Sequence, residues 1–343
     1  MSYDRFKTHL NEMHKEAINI LNDVSQLYKP KILDYFSKYC HGKEHYWSIK
    51  KLFCHAMYIP MFLIIGRRYF EKLIYIDTHA GLGLSKVGED NKEIILGSPL
   101  IALKWPNIIA KKIKQYSGIS DGFDELYFIE RNQNIAEILG YIVRKISNND
   151  NVAVYPFDCN ESLPQITTKI FGNSSSTNKK KYLLYVFIDP FGELDNQITY
   201  EALRTLTEGA CVDVMMTVMA SSIARGLSPL SAEEKAEYAE KLFSKIALHK
   251  IPSLKGNGSV SYDDVKNAYE IMMKSLGYRR IEFIPVKFEK KILYYVMLAV
   301  KGGGEWINGY INYITKKAPQ DYETLKGLFF QVVRKQSSIK EFY

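Results

Sequence analysis

Four acidic residues follow short apolar runs at the points where those runs end. Asp77 ends the run LIYID, Glu130 ends LYFIE, Asp158 follows VYPF and Asp189 ends VFID. If the runs are parallel strands of one sheet, their carboxyl ends meet at one edge, where ligands bind in open α/β sheets. Taken singly, an acid at such a position is more often a cap for the next helix. Taken together, the four predict a ligand-binding site at that edge.

The first of these acids is followed by a turn with two glycines. Gly81 and Gly83 lie in the segment DTHAGLG, and glycine adopts the backbone angles that allow a sharp turn and close approach to a ligand. An NAD-binding fingerprint needs a third glycine where this chain has Lys86, and a ribose-binding acid nearer than Glu130. A phosphate-binding loop needs Gly-Lys-Ser or Gly-Lys-Thr, which is absent here. NAD and nucleotide phosphates therefore fit this turn poorly.

S-adenosylmethionine (SAM) fits the pattern better. Because it has no phosphate, the glycine turn needs only to let the backbone approach its methionine and ribose parts. Glu130 is expected to accept both ribose hydroxyls, and Asp158 to accept the adenine amino group. Asp77, or a water that it orients, suits the methionine ammonium. Ser98, at the start of a predicted helix, either caps that helix or reaches the cofactor's carboxylate.

The hydrophobic periodicity predicts the elements that position these residues. Short β-rich runs alternate with helical patterns, which indicates βαβ units and a parallel sheet covered on both faces. Strands are expected at residues 73–77, 126–129, 152–155, 182–188 and 211–218. Helices are expected between them at 99–114, 132–146, 160–171 and 197–206. Two more β-rich runs, separated by a charged turn at 289–291, predict a closing antiparallel hairpin.

This order of elements is the one expected of a Rossmann-like class I methyltransferase sheet, in which an antiparallel hairpin closes five parallel strands. The apolar stripe from Phe6 to Tyr28, ended by Lys29-Pro30, and two further patterns predict that residues 1–70 are helical. Residues 71–303 form the predicted α/β domain, with a helical insertion at about 228–278. Residues 304–343 are expected to form C-terminal helices.

Composition and charge bound the classes of protein. The chain has 343 residues, 46% hydrophobic and 24% charged, which is an ordinary globular composition. A net charge of +8 favours anionic partners. The dispersed cysteines and the polar first fifteen residues predict a cytoplasmic protein with free thiols. The longest apolar stretch, Leu52 to Ile65, is expected to be too short to span a bilayer.

Three other groups of polar residues have less distinctive patterns. The cysteines and histidines between residues 40 and 55 match no usual zinc spacing, so no metal site is expected: Cys40, His41, His45, Cys54 and His55. Asp213, inside the run CVDVMM, is interpreted as a buried hydrogen-bonded residue. Basic pairs at 67–68, 279–280 and 316–317 either line a nucleic-acid path or are solvated surface. If the target is nucleic acid, the basic groups at 67–68, 179–181 and 279–280 are expected around the strand-end cleft.

Five segments, taken in order, resemble the landmarks of the three-Cys-motif partner family, TcmP. They are YIDTHAGLG, GSPLIAL, FIE, DCNESLP and FIDPFG, and the similarity runs from WSIKKL, at about Trp47, to the strand LYYVMLAVKGGG. Members look like class I methyltransferases and typically are encoded beside a radical-SAM-like protein with three cysteines. Within these segments His79 and Cys159 join the expected cofactor-binding residues, although His79 stands where members usually have an aromatic residue.

The tetrapeptide DPFG is the expected methyl-transfer site. Asp189, Pro190 and Phe191 occupy the position of the Asp/Asn-Pro-Pro-aromatic motif of amino-methylating enzymes, and the tetrapeptide is similar to one in tRNA guanine-N2 dimethyltransferases. A carboxylate and a backbone carbonyl that accept both N–H groups of an exocyclic amine can localise its lone pair, while an aromatic ring stacks on the flipped base. The alternative is a proline-aromatic turn that only ends the strand.

The sequence is therefore compatible with two functions. The first is a SAM-dependent methyltransferase acting on an exocyclic amino group of a nucleobase in RNA or DNA. The second is a SAM-fold partner protein that docks the radical-SAM-like three-cysteine protein, with weak or no catalysis. Intact acids at all four strand ends favour the first, and the family's gene neighbourhood and His79 favour the second.

Overall fold

A computed structural model describes the following parts of the chain: residues 3–24, 26–39, 47–87, 93–112, 122–147, 151–172, 181–190, 194–208, 210–288, 291–302, 306–317, 324 and 326–327. Three helices come first: α1 (Tyr3–Asp23), α2 (Lys29–Tyr39) and α3 (Trp47–Tyr69). The predicted break at Pro30 is wrong in position, because Pro30 lies in the first turn of α2. Proline is tolerated there, since first-turn N–H groups have no partner within the helix.

Seven of the strands in the described residues form one sheet. In chain order they are β1 (Lys72–Asp77), β4 (Glu125–Ile129), β5 (Val152–Tyr155), β6 (Tyr182–Ile188), β7 (Cys211–Val218), β8 (Arg280–Phe288) and β9 (Lys291–Val300). The order across the sheet is β5-β4-β1-β6-β7-β9-β8. Strands β1, β4, β5, β6 and β7 are parallel, and β9 is antiparallel to both β7 and β8. All seven agree with the strands that the sequence predicts.

The strand order confirms the predicted fold class, a Rossmann-like class I methyltransferase sheet. The chain moves outward from β1 through β4 to β5 and then returns to β6, which pairs with the other side of β1. The order of the strands therefore reverses between β1 and β6. Ligands bind outside the carboxyl ends of the strands at such a reversal. The sequence did not predict the small antiparallel pair β2 (Leu84–Lys86) and β3 (Ile94–Leu96).

Helices cover both faces of the sheet. After α3 they are α4 (Ser98–Lys112), α5 (Gln133–Ile146), α6 (Cys159–Phe171), α7 (Tyr200–Thr207), α8 (Ala220–Leu227), α9 (Ala232–Lys250), α10 (Tyr262–Ser275) and α11 (Trp306–Asn312). Alternate strand residues enter two separate cores. Leu73 and Tyr75 of β1 pack in the core that contains α1 and α3 to α5, whereas Ile74 and Ile76 pack in the core that contains α6 to α10. Burial on both faces explains why the central strands β1, β6 and β7 read as almost unbroken apolar runs, whereas the edge strands β5 and β8 are mostly half-buried.

Helix α3 contributes to the first core and reaches the functional edge. The whole helix, as distinct from the apolar stretch Leu52 to Ile65, is long and apolar enough to cross a membrane by length and composition. However, 67% of its apolar window is buried inside the protein, where it packs on β1, β6 and β8. This burial is what a core helix requires. Its amino-terminal end lies at the carboxyl edge of the sheet, where Lys51 contacts Asp189.

Candidate functional site

A cavity of about 170 Å³ lies at the carboxyl edge of the sheet, where the strand order reverses. The loop after β1, the start of α4, the residue after β6 and side chains of α2 and α3 line it. Five predicted site residues are among the lining residues: His79, Gly81, Gly83, Ser98 and Asp189. The lining residues from α2 and α3 are ones that the sequence did not identify: Tyr35, Ser48, Lys51 and Leu52. The fold thus brings distant segments to one site.

Asp77, the last residue of β1, is fully buried and does not line the cavity itself, but it contacts Ser98 and His79, which do. The Tyr75 hydroxyl donates a hydrogen bond to its Oδ2 at 3.1 Å, and the His79 backbone N–H donates to its Oδ1 at 3.3 Å. Burial raises the pKa of Asp77 to about 7, and hydrogen bonds from Ser98 and His79 oppose that rise. The nearby charge of Asp189 raises the pKa further. Asp77 therefore changes its charge near neutral pH.

Both glycines of the β1 loop have positive φ, 57° at Gly81 and 83° at Gly83. At Gly83 an added Cβ would lie 2.9 Å from Leu100 Cγ, and at Gly97 an added Cβ would lie 2.8 Å from the Gly83 carbonyl. Helix α4 therefore packs directly against the loop backbone. At Gly81 an added Cβ would approach the Tyr35 hydroxyl to 4.0 Å, an ordinary contact distance. Both glycines line the cavity, but a side chain at Gly83 would collide with α4, whereas one at Gly81 would not.

Glu130, which follows β4, holds the β1 loop by a hydrogen bond. Its Oε2 accepts the Gly81 N–H at 3.0 Å, and its Oε1 accepts the Asn132 N–H at 2.8 Å. Burial raises the pKa of Glu130, and these two hydrogen bonds oppose the rise. A carboxylate has about four acceptor sites, so each oxygen can accept a further donor. The side chain therefore has a structural contact and retains the capacity that a ribose diol requires.

Asp158 and Cys159 lie beside the cavity-lining loop but are not among the residues that line the described cavity. Asp158 caps α6 by accepting the Asn160 N–H at 2.8 Å, which is the alternative role of a strand-end acid. The Cys159 Sγ lies 3.9 Å from His79 Nε2. Burial raises the pKa of the Cys159 thiol to about 12, so the thiol is neutral. Within the described part of the chain, Cys159 contacts the cavity lining at His79, and the charge of Asp158 acts on the same ring.

The His79 ring joins the loops that follow β1 and β6. Its Nδ1 lies 2.8 Å from the Thr78 hydroxyl, and its Nε2 lies 3.0 Å from the Asn196 carbonyl. Burial lowers the pKa of His79, so the neutral ring donates from Nε2 and accepts at Nδ1. Both ring nitrogens thus have protein partners. The histidine acts as a cross-link between loops at the position where the resemblance leads one to expect an aromatic residue.

Asp189 forms an ion pair with Lys51, and both residues line the cavity. Lys51 Nζ lies 2.5 Å from Asp189 Oδ2, and the two side chains are only 19% and 17% exposed. Ser48, Lys51 and Leu52 are spaced so that they share one face of α3, and this face closes the cavity. Pro190 is buried. The third predicted catalytic residue, Phe191, lies outside the described residues.

A buried network centred on His55 supports the site from behind. His55 Nδ1 lies 2.8 Å from the Tyr185 hydroxyl, and Nε2 lies 3.2 Å from the Ser98 carbonyl. Burial lowers the pKa of His55 to about 3, so the neutral ring donates from Nε2 and accepts at Nδ1. Tyr75 also approaches His55 Nε2 at 3.3 Å. The network therefore fixes both Ser98 and Tyr75, which are the side chains that contact Asp77.

Two other residues singled out in the sequence are buried in the core. Asp213 accepts a hydrogen bond from Tyr58 at 2.8 Å, which confirms its interpretation as a buried hydrogen-bonded residue. Cys54 is a free, buried thiol. The remaining members of the Cys/His group, Cys40, His41 and His45, lie outside the described residues.

Three of the basic residues, Arg67, Lys181 and Arg280, lie at the edge of the sheet opposite the cavity, so the alternative that places them around the strand-end cleft is wrong. Arg67 binds both carboxylate oxygens of Asp124, at 2.9 and 2.7 Å, just before β4 begins. Lys181 precedes β6, and Arg280 is the first residue of β8, which is parallel to β1. The reason is that α3 runs antiparallel to β1, so Lys51 and Arg67 reach opposite edges. Arg68 and Arg279 adjoin two of these residues, and residues 179–180 lie outside the described parts.

No protein-family model matches the chain, and no curated protein matches it. Among solved structures, the chain is similar to protein LPL1258 from Legionella pneumophila str. Philadelphia 1, of the family model DUF519, with 11% identity and a TM-score of 0.43 over 81% of this chain and 95% of that one. It is also similar to Trm1 from Pyrococcus horikoshii in complex with S-adenosyl-L-methionine, with 10% identity and a TM-score of 0.35 over 75% of this chain and 57% of that one.

A third similar structure is the O-methyltransferase from Bacillus cereus in complex with SAH, with 12% identity and a TM-score of 0.35 over 78% of this chain and 96% of that one. Likenesses this distant decide nothing about function. The class of the fold rests on the strand order and on the carboxyl-edge position of the site. Those two features define a class I methyltransferase-like protein.

Proposed function

We propose that this protein binds SAM at the carboxyl edge and transfers its methyl group to an exocyclic amino group of a nucleobase in RNA or DNA. The observation that carries the proposal is the convergence of the Gly81 turn, Ser98 and Asp189 on one cavity above buried Asp77. These residues come from separate segments, and each has a type that this chemistry needs. The resemblance to the TcmP segments and the DPFG tetrapeptide supports the same assignment.

The residues around the cavity fit the parts of SAM. The open backbone at Gly81 permits close approach, Asp77 offers a negative charge to the methionine ammonium, and Glu130 retains acceptor capacity for the ribose. The cavity is about 170 Å³, which is below the roughly 300–1,000 Å³ of most small-molecule pockets. We therefore assign the methionine end to this cavity and the nucleoside to the adjoining edge between Glu130 and Asp158.

The protein's own contribution is to hold the acceptor amine. SAM supplies an electrophilic methyl group on its sulfonium. Asp189 would accept one N–H of the amine, and the carbonyl of Pro190 suits the second, which turns the nitrogen lone pair out of the ring and toward the methyl group. The rest of the rate enhancement would come from alignment for in-line transfer. Asp189 thus acts as a hydrogen-bond acceptor for the substrate.

A second function, a SAM-fold partner that docks a three-cysteine protein, is favoured by one observation. The acceptor carboxylate of Asp189 already holds an ammonium from the same chain. In a protein that had lost catalysis, such a pair would simply stabilise the contact between α3 and the loop after β6. Labelled SAM separates the two functions, because the first requires label in nucleic acid and the second requires a complex with no transferred label.

The cofactor assignment is tested by thermal unfolding with SAM, S-adenosylhomocysteine, NAD and ATP. A ligand at 100 times its dissociation constant stabilises the folded state by about 2.7 kcal/mol. We expect SAM and S-adenosylhomocysteine to raise the unfolding temperature, and NAD and ATP to leave it unchanged. An unchanged unfolding temperature at millimolar SAM would rule out the proposed function.

A further inference from the structure

The ammonium of Lys51 pairs with Oδ2 of Asp189, the carboxylate that a substrate amine would use, and so neutralises its charge. The N–O distance is 2.5 Å, and both side chains are more than four-fifths buried. Lys51 lies in α3 and is separated from Asp189 by 138 positions in the sequence. The ion pair therefore exists only because the N-terminal helices cover the carboxyl edge of the sheet.

The pair opposes the chemistry of the proposed function, on which this inference rests. Methyl transfer moves positive charge from the sulfonium sulfur to the attacking nitrogen. A free carboxylate beside that nitrogen stabilises the developing charge, whereas a carboxylate neutralised by an ammonium stabilises it much less. The substrate amine is neutral, so it cannot displace an ammonium from Asp189 by charge. Something anionic must draw Lys51 away.

Nucleic acid carries that anion on each nucleotide. A lysine is a compact charge on a flexible four-carbon stem, so it can change partner without movement of α3. Its side chain is 19% exposed and faces a cavity that Lys86 also lines. With the methionine part of SAM beside Gly81 and Ser98, a phosphate next to the target base would meet the two ammonium groups on the remaining lining of the cavity. A free nucleoside has no such phosphate and would leave the pair with Asp189 intact.

We propose that Lys51 is a specificity-determining residue that holds Asp189 in the free protein and passes to a backbone phosphate of the nucleic-acid substrate. The full negative charge of Asp189 then becomes available to the substrate amine. The protein thereby selects a nucleotide within a phosphorylated strand over the same base in a nucleoside. The opposite role, in which Lys51 stays on Asp189 and only orients it, makes contrary predictions for the same variants.

The experiment compares the full chain with Lys51→Met and Lys51→Arg. The substrates are adenosine, guanosine and cytidine, their 5′-monophosphates, and single-stranded RNA and DNA oligonucleotides, each with labelled SAM. We expect Lys51→Met to raise kcat/KM for the reactive nucleoside by about tenfold and to lower it for the oligonucleotide by a similar factor. Lys51→Arg, which pairs more rigidly with a carboxylate, should lower nucleoside turnover. Lys104→Met, which removes a partly buried ion pair with Glu16, is the control.

Binding measurements keep the inference testable if no turnover is detected. With S-adenosylhomocysteine present, Lys51→Met should bind the oligonucleotide more weakly and the nucleoside more tightly than the unaltered protein does. Equal losses of binding or turnover on nucleoside and oligonucleotide would overturn the inference and leave Lys51 as an orienting residue. Absence of SAM binding by the unaltered protein would instead reject the proposed function, so the two failures are distinct.

Discussion

At Asp77, the burial that raises the pKa to about 7 should make cofactor affinity depend on pH. A methionine ammonium requires the ionised carboxylate, so binding below this pKa must first release a proton. We expect SAM affinity to fall by up to about tenfold per pH unit below pH 7, and to fall again above about pH 8 as the ligand's own amine loses its proton. Calorimetric titration across this range measures both limbs.

Asp77→Asn is the matched variant, because it keeps the shape of the side chain and removes the titration. The variant should bind SAM more weakly at pH 7.5 and should lose the acidic limb. The stability of the unaltered protein should change with pH in the direction opposite to its SAM affinity. Because the folded pKa of Asp77 lies above the unfolded value of 3.8, the protein loses stability as the pH rises from about 4 to 7. The variant should lack that contribution. Constant SAM affinity of the unaltered protein across the range would show that Asp77 does not face the ligand's ammonium.

Glu130 and Asp189 should separate cofactor binding from methyl transfer. Glu130→Ala removes the acceptor of the Gly81 N–H and the proposed ribose acceptor, so we expect SAM binding to weaken by about 1.5–3 kcal/mol. Asp189→Ala should leave SAM affinity nearly unchanged and abolish transfer. Glu208→Ala, an exposed change at the residue that follows α7, serves as the control for loss of one carboxylate. Loss of cofactor binding in both variants would show that Asp189, which lines the cavity, binds the cofactor and not the substrate amine.

The sequence predicts the strand-end acids because each depends only on its own strand. It does not predict their partners. Lys51 meets Asp189 and His79 meets Asn196 across separations of 138 and 117 positions, and no local pattern encodes such contacts. Of these two contacts, only the one made by Lys51 has a signal in the sequence, because Lys51 belongs to a pair of lysines just before the apolar middle of α3. The covering helices, which tertiary packing positions, supply the part of the site that could not be predicted.

Among the elements, the strands could be predicted almost to the residue because both faces of the sheet are buried. An unbroken apolar run of four to eight residues has no other simple interpretation in an alternating α/β pattern. The pair β2 and β3 could not be predicted, since each strand has three residues and shows no period. The end of α1 was misplaced because its apolar stripe continues past Asp23 to Val24 and Tyr28, which pack on the same core.

The β1 loop offers an element-level test with a matched control. Gly81 and Gly277 both have positive φ, 57° and 86°, and a Cβ at either position meets nothing closer than 4.0 Å. Alanine at each should therefore cost a similar amount of stability, about 1–2 kcal/mol, through backbone strain alone. Of these two glycines, only Gly81 lines the cavity. We expect Gly81→Ala to weaken SAM binding and Gly277→Ala to leave it unchanged, as measured by calorimetry and thermal unfolding.

Equal SAM affinity of the two glycine variants would remove the β1 loop from the cofactor site. Gly83→Ala is a further comparison, because its Cβ would also collide with Leu100. That variant should lose clearly more stability than Gly81→Ala does. The ranking of stability losses is therefore set by packing, whereas the ranking of SAM affinities is set by position relative to the cavity.

For the whole molecule, the two edges of the sheet carry different kinds of cation. At the amino edge Arg67 is bound to Asp124 and Lys181 to Glu71, so these charges are used within the fold. At the carboxyl edge Lys51 and Lys86 line the cavity beside the proposed acceptor carboxylate. The net charge of +8 therefore says little by itself about where an anion binds. The arrangement of the helices decides this.

This division predicts which substitutions change nucleic-acid binding. The double variant Arg68→Gln/Arg279→Gln removes two exposed charges at the amino edge and should leave both the affinity for a single-stranded oligonucleotide and its salt dependence unchanged. Lys86→Met should weaken binding and reduce the log–log salt slope by about 0.7, the value for one phosphate contact on a single strand. Fluorescence anisotropy over a range of salt concentrations measures both quantities. If the amino-edge variant instead reduced the slope and Lys86→Met did not, nucleic acid would bind at the edge opposite the cavity, too far from Asp189 for methyl transfer to its bases.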